Sequence, residues 1–291
     1  MKRFLRCLMI SICALAFCGV FYFYIIESIG AIKSERAAHQ NSSAQAHSPS
    51  TARSGGLHTA VTRPPGRPAP AQSKASSAQP SASAPSIASQ WRIIERSDSF
   101  DGQLQYYSPG NVALDEGRIV ITTREEIMGD KRYTSGMVES ESAYLFGRFS
   151  FVISVPQGKG LFPAIWLMPV ENKALPEIDL FEMIGNAPDV FYGVVHYMDG
   201  PVQKRDYFKT KVEKKDTYLI ELEWTRECLR WFIDGKCMLE SSKYVPSEPM
   251  YLIVNQALGG TWPGLPDKTT VFPATFTIES WTIEPEWSQL R

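Results

Sequence analysis

The stretch PEIDLFEMIG, residues 176–185, sets three acids, Glu177, Asp179 and Glu182, among Ile, Leu, Phe and Met. Apolar neighbours of this kind belong to a buried strand, where a carboxylate is costly unless it is paired or used. Side chains alternate along a strand, so residues 177 and 179 share a face. Residue 182 is out of phase with them in a regular strand. One extra residue, a β-bulge at Leu180 or Phe181, returns Glu182 to the face of Glu177. The segment then reads as a strand apolar on the core side and acidic on the other.

Outward from this segment the chain is a series of similar short runs. They are RIVITTR (118–124), GRFSFVISV (147–155), AIWLM (164–168), VFYGVVHYM (190–198), TYLIELEW (217–224), LRWFID (229–234), YLIVNQAL (251–258) and TFTIESWTI (275–283). They are rich in β-branched and aromatic residues and are separated by Gly, Pro, Asn or Asp. No long apolar repeat of helical period competes with them. Strands at this spacing without intervening helices predict an all-β antiparallel sandwich or barrel over residues 90–291. That length is large for an immunoglobulin-type domain and suits a bigger jelly roll. A curved sheet of this size offers a groove for an extended polymer. All seven Trp lie in this part of the chain. Most are expected in the core and a few beside sugar rings, whose C–H faces stack on aromatics.

The first 89 residues differ in kind. Lys2, Arg3 and Arg6 precede an uncharged, mostly apolar run from Cys7 to Ile26. At ~1.5 Å per residue such a run spans roughly the hydrocarbon thickness. The cationic flank predicts a single-pass signal-anchor over residues 1–30, with the C-terminal bulk outside the cytoplasmic membrane. A cleaved signal peptide is the competing reading. Residues 31–89, rich in Ala, Ser and Pro, bury too little to offset their ordering entropy and are expected to form a disordered linker with a reach of ~45 Å. Residues 1–89 carry nine Lys or Arg against two Glu, and the whole chain is −1, so the folded part is acidic. An acidic domain argues against nucleic acid as its partner, since phosphate binding needs a basic face. Cys228 and Cys237 are the two cysteines outside the apolar run. CLRWFIDGKCM reads as a hairpin turning at Asp234-Gly235, in which Cys237 faces Phe232 and Cys228 lies too far along the strand for a disulfide. Two free, mostly buried thiols are expected.

With the bulge, Glu177 and Glu182 have Cα atoms ~13 Å apart on one face. Two Glu side chains leaning together close this to the ~5–6 Å of a retaining glycosidase, in which one carboxylate attacks and the other moves the proton. Crowding raises at least one carboxyl pKa, which suits a general acid. A calcium site or a plain acidic strand face are the alternatives that spacing alone leaves open.

EIDLFE resembles the E-x-D-x-x-E signature of glycoside hydrolase family 16, the laminarinase- and lichenase-like retaining endoglycanases. YTSG (133–136), GRF (147–149), GLFPAIWLMP (160–169), His196 and NQALGGTWPG (255–264) are similar to that family in type and order. The resemblance spans roughly residues 91–285. It implies a concanavalin A-like β-jelly-roll sandwich with a concave substrate cleft. It implies Glu177 as nucleophile, Asp179 as assisting carboxylate and Glu182 as general acid/base, with Trp166, His196, Asn255 and Trp262 at the substrate; Glu139, at a position near the cleft that is commonly small or basic in the family, is a further substrate-binding candidate. No metal or organic cofactor is required by that chemistry. Glu279 stands where the family tends to put the Asp of a structural calcium site, which weighs against calcium here. The expectation is a monomeric, membrane-anchored endo-β-glycanase acting on β-1,3- or β-1,3-1,4-glucan or a bacterial exopolysaccharide. A transglycosylase on the same scaffold and a non-catalytic lectin are the alternatives. The partners implied are a polysaccharide and, through the N-terminal helix, the membrane, with no nucleic acid.

Overall fold

The structure, a computed structural model, describes residues 89–286 apart from 99, 116 and 172. The anchor and all but the last residue of the linker expected over 1–89 lie outside the described residues. Among the described residues no helix is long and apolar enough to cross a membrane.

Sixteen strands form two sheets. In chain order they are β1 (Trp91–Ile93), β2 (Gln105–Tyr107), β3 (Val112–Asp115), β4 (Arg118–Met128), β5 (Lys131–Ser135), β6 (Met137–Tyr144), β7 (Gly147–Ser154) and β8 (Leu161–Pro169). Then follow β9 (Glu177–Met183), β10 (Val190–Asp199), β11 (Val202–Lys211), β12 (Tyr218–Trp224), β13 (Leu229–Ile233), β14 (Lys236–Ser241), β15 (Met250–Leu258) and β16 (Ala274–Pro285). One sheet has seven strands in the order β1-β6-β15-β8-β9-β10-β11. The other runs β14-β13-β12-β7-β16-β4-β5-β2, with β3 added on β4. All pairings are antiparallel except β2 with β5. Strands of this kind stacked face to face make an all-β jelly-roll sandwich.

Alternation explains the core. In β7, Phe149, Phe151 and Ile153 are fully buried while Arg148, Ser150 and Val152 face outward and are partly exposed or exposed. From the facing sheet come Ile165, Leu167, Ile178, Leu180, Phe181, Phe191, Leu252 and Val254. Phe181 stacks on Phe276 with ring centroids 6.0 Å apart, joining the sheets. Each such side chain contributes ~1.5–3 kcal/mol by leaving water. A smaller apolar cluster of Tyr107, Met137, Met168, Tyr251, Ile253 and Trp166 sits on the other face of the seven-stranded sheet.

The β13–β14 hairpin turns at Asp234 and Gly235, both with positive φ of 50° and 76°, and pairs Phe232 with Cys237. Both cysteines are free. Cys237 is exposed, contrary to the expectation of a buried thiol, because β14 is the outermost strand of its sheet and this end of it faces solvent.

Candidate active site

The three acids stand on β9, between β8 and β10. Against β8, Phe181 pairs with Ile165 and Asp179 with Trp166, which leaves Leu180 as the extra residue. Against β10, Glu182 pairs with Tyr192 and Asp179 with Val194, so two β9 residues oppose Gly193 alone. Leu180 and Phe181 both enter the core, at 1% exposure each. The bulge thus spends two successive residues on the interior and returns Glu182 to the face of Glu177 and Asp179.

The interior is shaped to hold this irregularity. Trp231 on β13 spans the sandwich, and its indole Nε1 donates to the Asp179 carbonyl at 3.0 Å. Gly193 makes room for it: a Cβ there would lie 2.3 Å from the Phe208 ring and 2.7 Å from Trp231. A hydrogen bond beside an interrupted ladder is the kind a buried backbone group needs.

Above the acids lies a cleft of about 710 Å³. Glu177, Glu182 and His196 line it, and Asp179 lies buried between them. Burial pushes the Glu177 carboxyl up to about 7. Burial and then the Glu177 charge push Glu182 up to about 8, against a lowering by Arg205. Asp179 is held well above the usual carboxylate range by burial first, then by Glu177 and Glu182. His196 Nε2 stands 3.5 Å from Asp179 Oδ2 and 4.0 Å from Glu177 Oε1. Burial and then Arg205 lower its pKa to about 4, so the imidazole is neutral at neutral pH. The arrangement therefore favours one ionised carboxylate among protonated neighbours.

Glu177, Asp179 and His196 are also a group of ligand-type side chains that could hold a metal, their atoms lying within 4.8 Å of one another. Two of the three are the acids themselves. Glu279, where calcium was weighed, accepts a hydrogen bond from Ser154 Oγ at 2.9 Å.

The remaining expected site residues divide. Trp166 lines the cleft, and its indole N–H donates to Asn255 Oδ1 at 2.8 Å. Asn255 also donates to the Tyr107 hydroxyl at 3.0 Å. Asn255, expected to point into the cleft and bond a sugar hydroxyl, does line the cleft, and its amide oxygen holds the Trp166 indole. Trp262 is exposed at the cleft and packs edge-on against Phe162 and Tyr192, with centroids 5.2 and 4.9 Å apart. Glu139 does not reach the cleft. It is fully buried on β6 and ion-paired at 2.5 Å with Arg92 of the neighbouring β1. A carboxylate with no exposure and a paired arginine is held by the fold rather than offered to a ligand.

Sequence reading missed Tyr107, Tyr192 and the β11 side chains Arg205, Tyr207 and Lys209, all of which line the cleft. The Asp199-Gly200 turn signal after the 190–198 run could have placed a hairpin partner there.

Two acids on one strand face in a cleft across a β-sandwich define the class: a glycoside hydrolase. The family model "Glycosyl hydrolases family 16" matches residues 102–275, and the chain belongs to that family. It is 28% identical over 207 residues to a "Beta-glucanase" of Rhodothermus marinus, covering 61% of this chain and 72% of that protein. It is 26% identical over 216 residues to "Glucan endo-1,3-beta-glucosidase A1" of Niallia circulans, covering 62% of this chain and 32% of that protein. Among solved structures it is similar to the laminarinase catalytic domain from Thermotoga maritima, with a TM-score of 0.61 and 27% identity over 68% of this chain and 91% of that one.

Proposed function

We propose that the chain is an endo-acting, retaining β-glucanase of β-1,3 or mixed β-1,3-1,4 linkages, in glucan or in a bacterial exopolysaccharide, held outside the cytoplasmic membrane by its N-terminal segment. One observation carries the chemistry: the bulge at Leu180 that turns Glu177 and Glu182 to one face of the cleft. The names of the relatives favour glucan, and the basic-flanked apolar run at 7–26 supports the anchor.

In this reading Glu182 donates to the leaving oxygen while ionised Glu177 attacks the anomeric carbon. Protonated Asp179 beside Glu177 steadies the charge on the nucleophile. The glycosyl-enzyme is then opened by water, from which Glu182, now a base, takes a proton. Trp166, fixed by Asn255, offers a ring face to a sugar beside the bond. The polymer runs across the strands and is cut within its length.

The purified full chain, incubated with laminarin and with lichenan, is expected to yield a ladder of oligosaccharides. Proton NMR of the first products should show the β-anomer at the new reducing end. An α-anomer first would overturn the double displacement, and no cleavage of either polymer would overturn the glucanase reading.

A further inference from the structure

The three acids lie on three cross-strand rows that end on the edge strand β11. Glu177 pairs with His196 and His196 with Arg205. Asp179 pairs with Val194 and Val194 with Tyr207. Glu182 pairs with Tyr192 and Tyr192 with Lys209. At ~4.8 Å per strand, each β11 residue stands ~10 Å from its acid, measured Cα to Cα. A chain leaving the catalytic acids in that direction passes over Arg205, Tyr207 and Lys209.

These three residues make a built surface. Tyr207 is 52% exposed, with one face of its ring taken by the Arg205 guanidinium. The Arg205 guanidinium lies over the Tyr207 ring at 5.1 Å, and the Lys209 ammonium over the Tyr192 ring at 5.6 Å. Both cations line the cleft. Among the described residues neither has a carboxylate within ion-pair distance, whereas Lys204 and Lys211 of the same strand pair with Asp199 and Asp189. Arg96, the remaining cleft cation, pairs with Asp98. Lysines that only guard a sheet edge against pairing with another chain need no such ring contacts and face either side.

We propose that Arg205, Tyr207 and Lys209 form a subsite for an acidic sugar, so that the preferred polymer carries anionic substituents, carboxylate or sulfate, next to the cleaved bond. The inference rests on the glycanase reading and narrows its substrate class. Tyr207 supplies the stacking platform. Arg205 supplies a planar donor fork, and Lys209 a point charge, for the anionic group. A neutral glucan occupies the platform and leaves both cations to water.

The test uses the full chain with laminarin, laminarin oxidised to carboxylate at C6, and sulfated laminarin. At low ionic strength kcat/KM is expected to favour one anionic polymer over the neutral one by about tenfold, the order of two charge-assisted contacts in a partly exposed site. That preference should shrink as salt is raised. The double variant Arg205→Gln, Lys209→Gln should lose most of it, and the oxidised and sulfated arms tell carboxylate from sulfate. Affinity electrophoresis of the Glu177→Gln chain in gels holding the same three polymers reads binding without turnover. If no polymer is cut but an anionic one retards the chain through Arg205 and Lys209, the hydrolytic reading fails and the subsite stands. Equal treatment of all three polymers, or a preference that survives in the double variant, overturns the subsite.

Discussion

The indole N–H of Trp231 and the carbonyl of Asp179 meet at 3.0 Å across the thickness of the sandwich, so a residue of one sheet secures the irregularity on which the other sheet's acids depend. Trp231→Phe keeps an aromatic ring in the core but removes the donor together with the five-membered half of the indole. It should cost ~1–3 kcal/mol, since a buried carbonyl loses its partner. kcat should fall too, because the strand around Asp179 loosens. Gly193→Ala, which drives a methyl group into Phe208 and Trp231, should act the same way at ~1–3 kcal/mol. Urea unfolding together with kcat checks both; lost stability with wild-type kcat would show that the catalytic face does not depend on this contact.

Glu177→Gln and Glu182→Gln should each lower turnover by roughly a thousandfold or more while the domain stays folded. Stability should move the opposite way. A carboxyl whose pKa is raised by folding favours the folded state while protonated. That contribution is complete below ~4.5, its unfolded value, and is lost as pH rises through the folded values of about 7 and 8. Glutamine carries no charge to bury, so each variant should be more stable than wild type at pH ~9, by ~1 kcal/mol or a few degrees in Tm. Near pH ~4 the difference should vanish. Thermal unfolding at both pH values decides it.

The pH profile of kcat/KM should be a narrow bell. It rises as Glu177 loses its proton near 7 and falls as Glu182 loses its own near 8. Arg205 holds the Glu182 carboxyl down, so Arg205→Gln should shift the alkaline limb to higher pH. An unmoved limb would place Arg205 too far from Glu182 to act on it. His196, neutral well below this range, should contribute no limb of its own.

Asn255→Leu removes the acceptor of the Trp166 indole and the donor to Tyr107. With its ring released, Trp166 should stack less well, and kcat/KM should fall about tenfold, the equivalent of one buried hydrogen bond. Trp166→Phe should reproduce most of the loss, and the two changes together should not add, because one acts through the other. Additive losses would mean that Asn255 meets the sugar directly.

The parts legible in the sequence were those with an inward face. The nine apolar runs all became strands, because alternating Val, Ile and Phe report burial on one side. The bulge was legible for the same reason: Glu182 is polar where the alternation demands an apolar residue. Strands without such a face were not. β11, Val202–Lys211, is an edge strand and mostly exposed, so nothing in VQKRDYFKTK reports an interior. β6 hides Glu139 and Ser140 under neighbouring chain, a burial of polar groups that only the Arg92 pairing and local hydrogen bonds make tolerable. Glu139 misled for that reason. The pairing of Trp231 with Asp179 joins residues 52 apart in sequence, and no local pattern announces it.

The surplus residue in β9 also governs how this strand tolerates changes of length. Excising Leu180 would leave Glu, Asp and Glu at strict two-residue intervals, still in phase and without a kink. Inserting a residue between Glu177 and Asp179 would instead rotate Glu177 into the interior. Shortening by one residue, at Leu180 or Phe181 and nowhere else, therefore preserves polarity, and a deletion scan of residues 177–182 should find its tolerant points at those two neighbours.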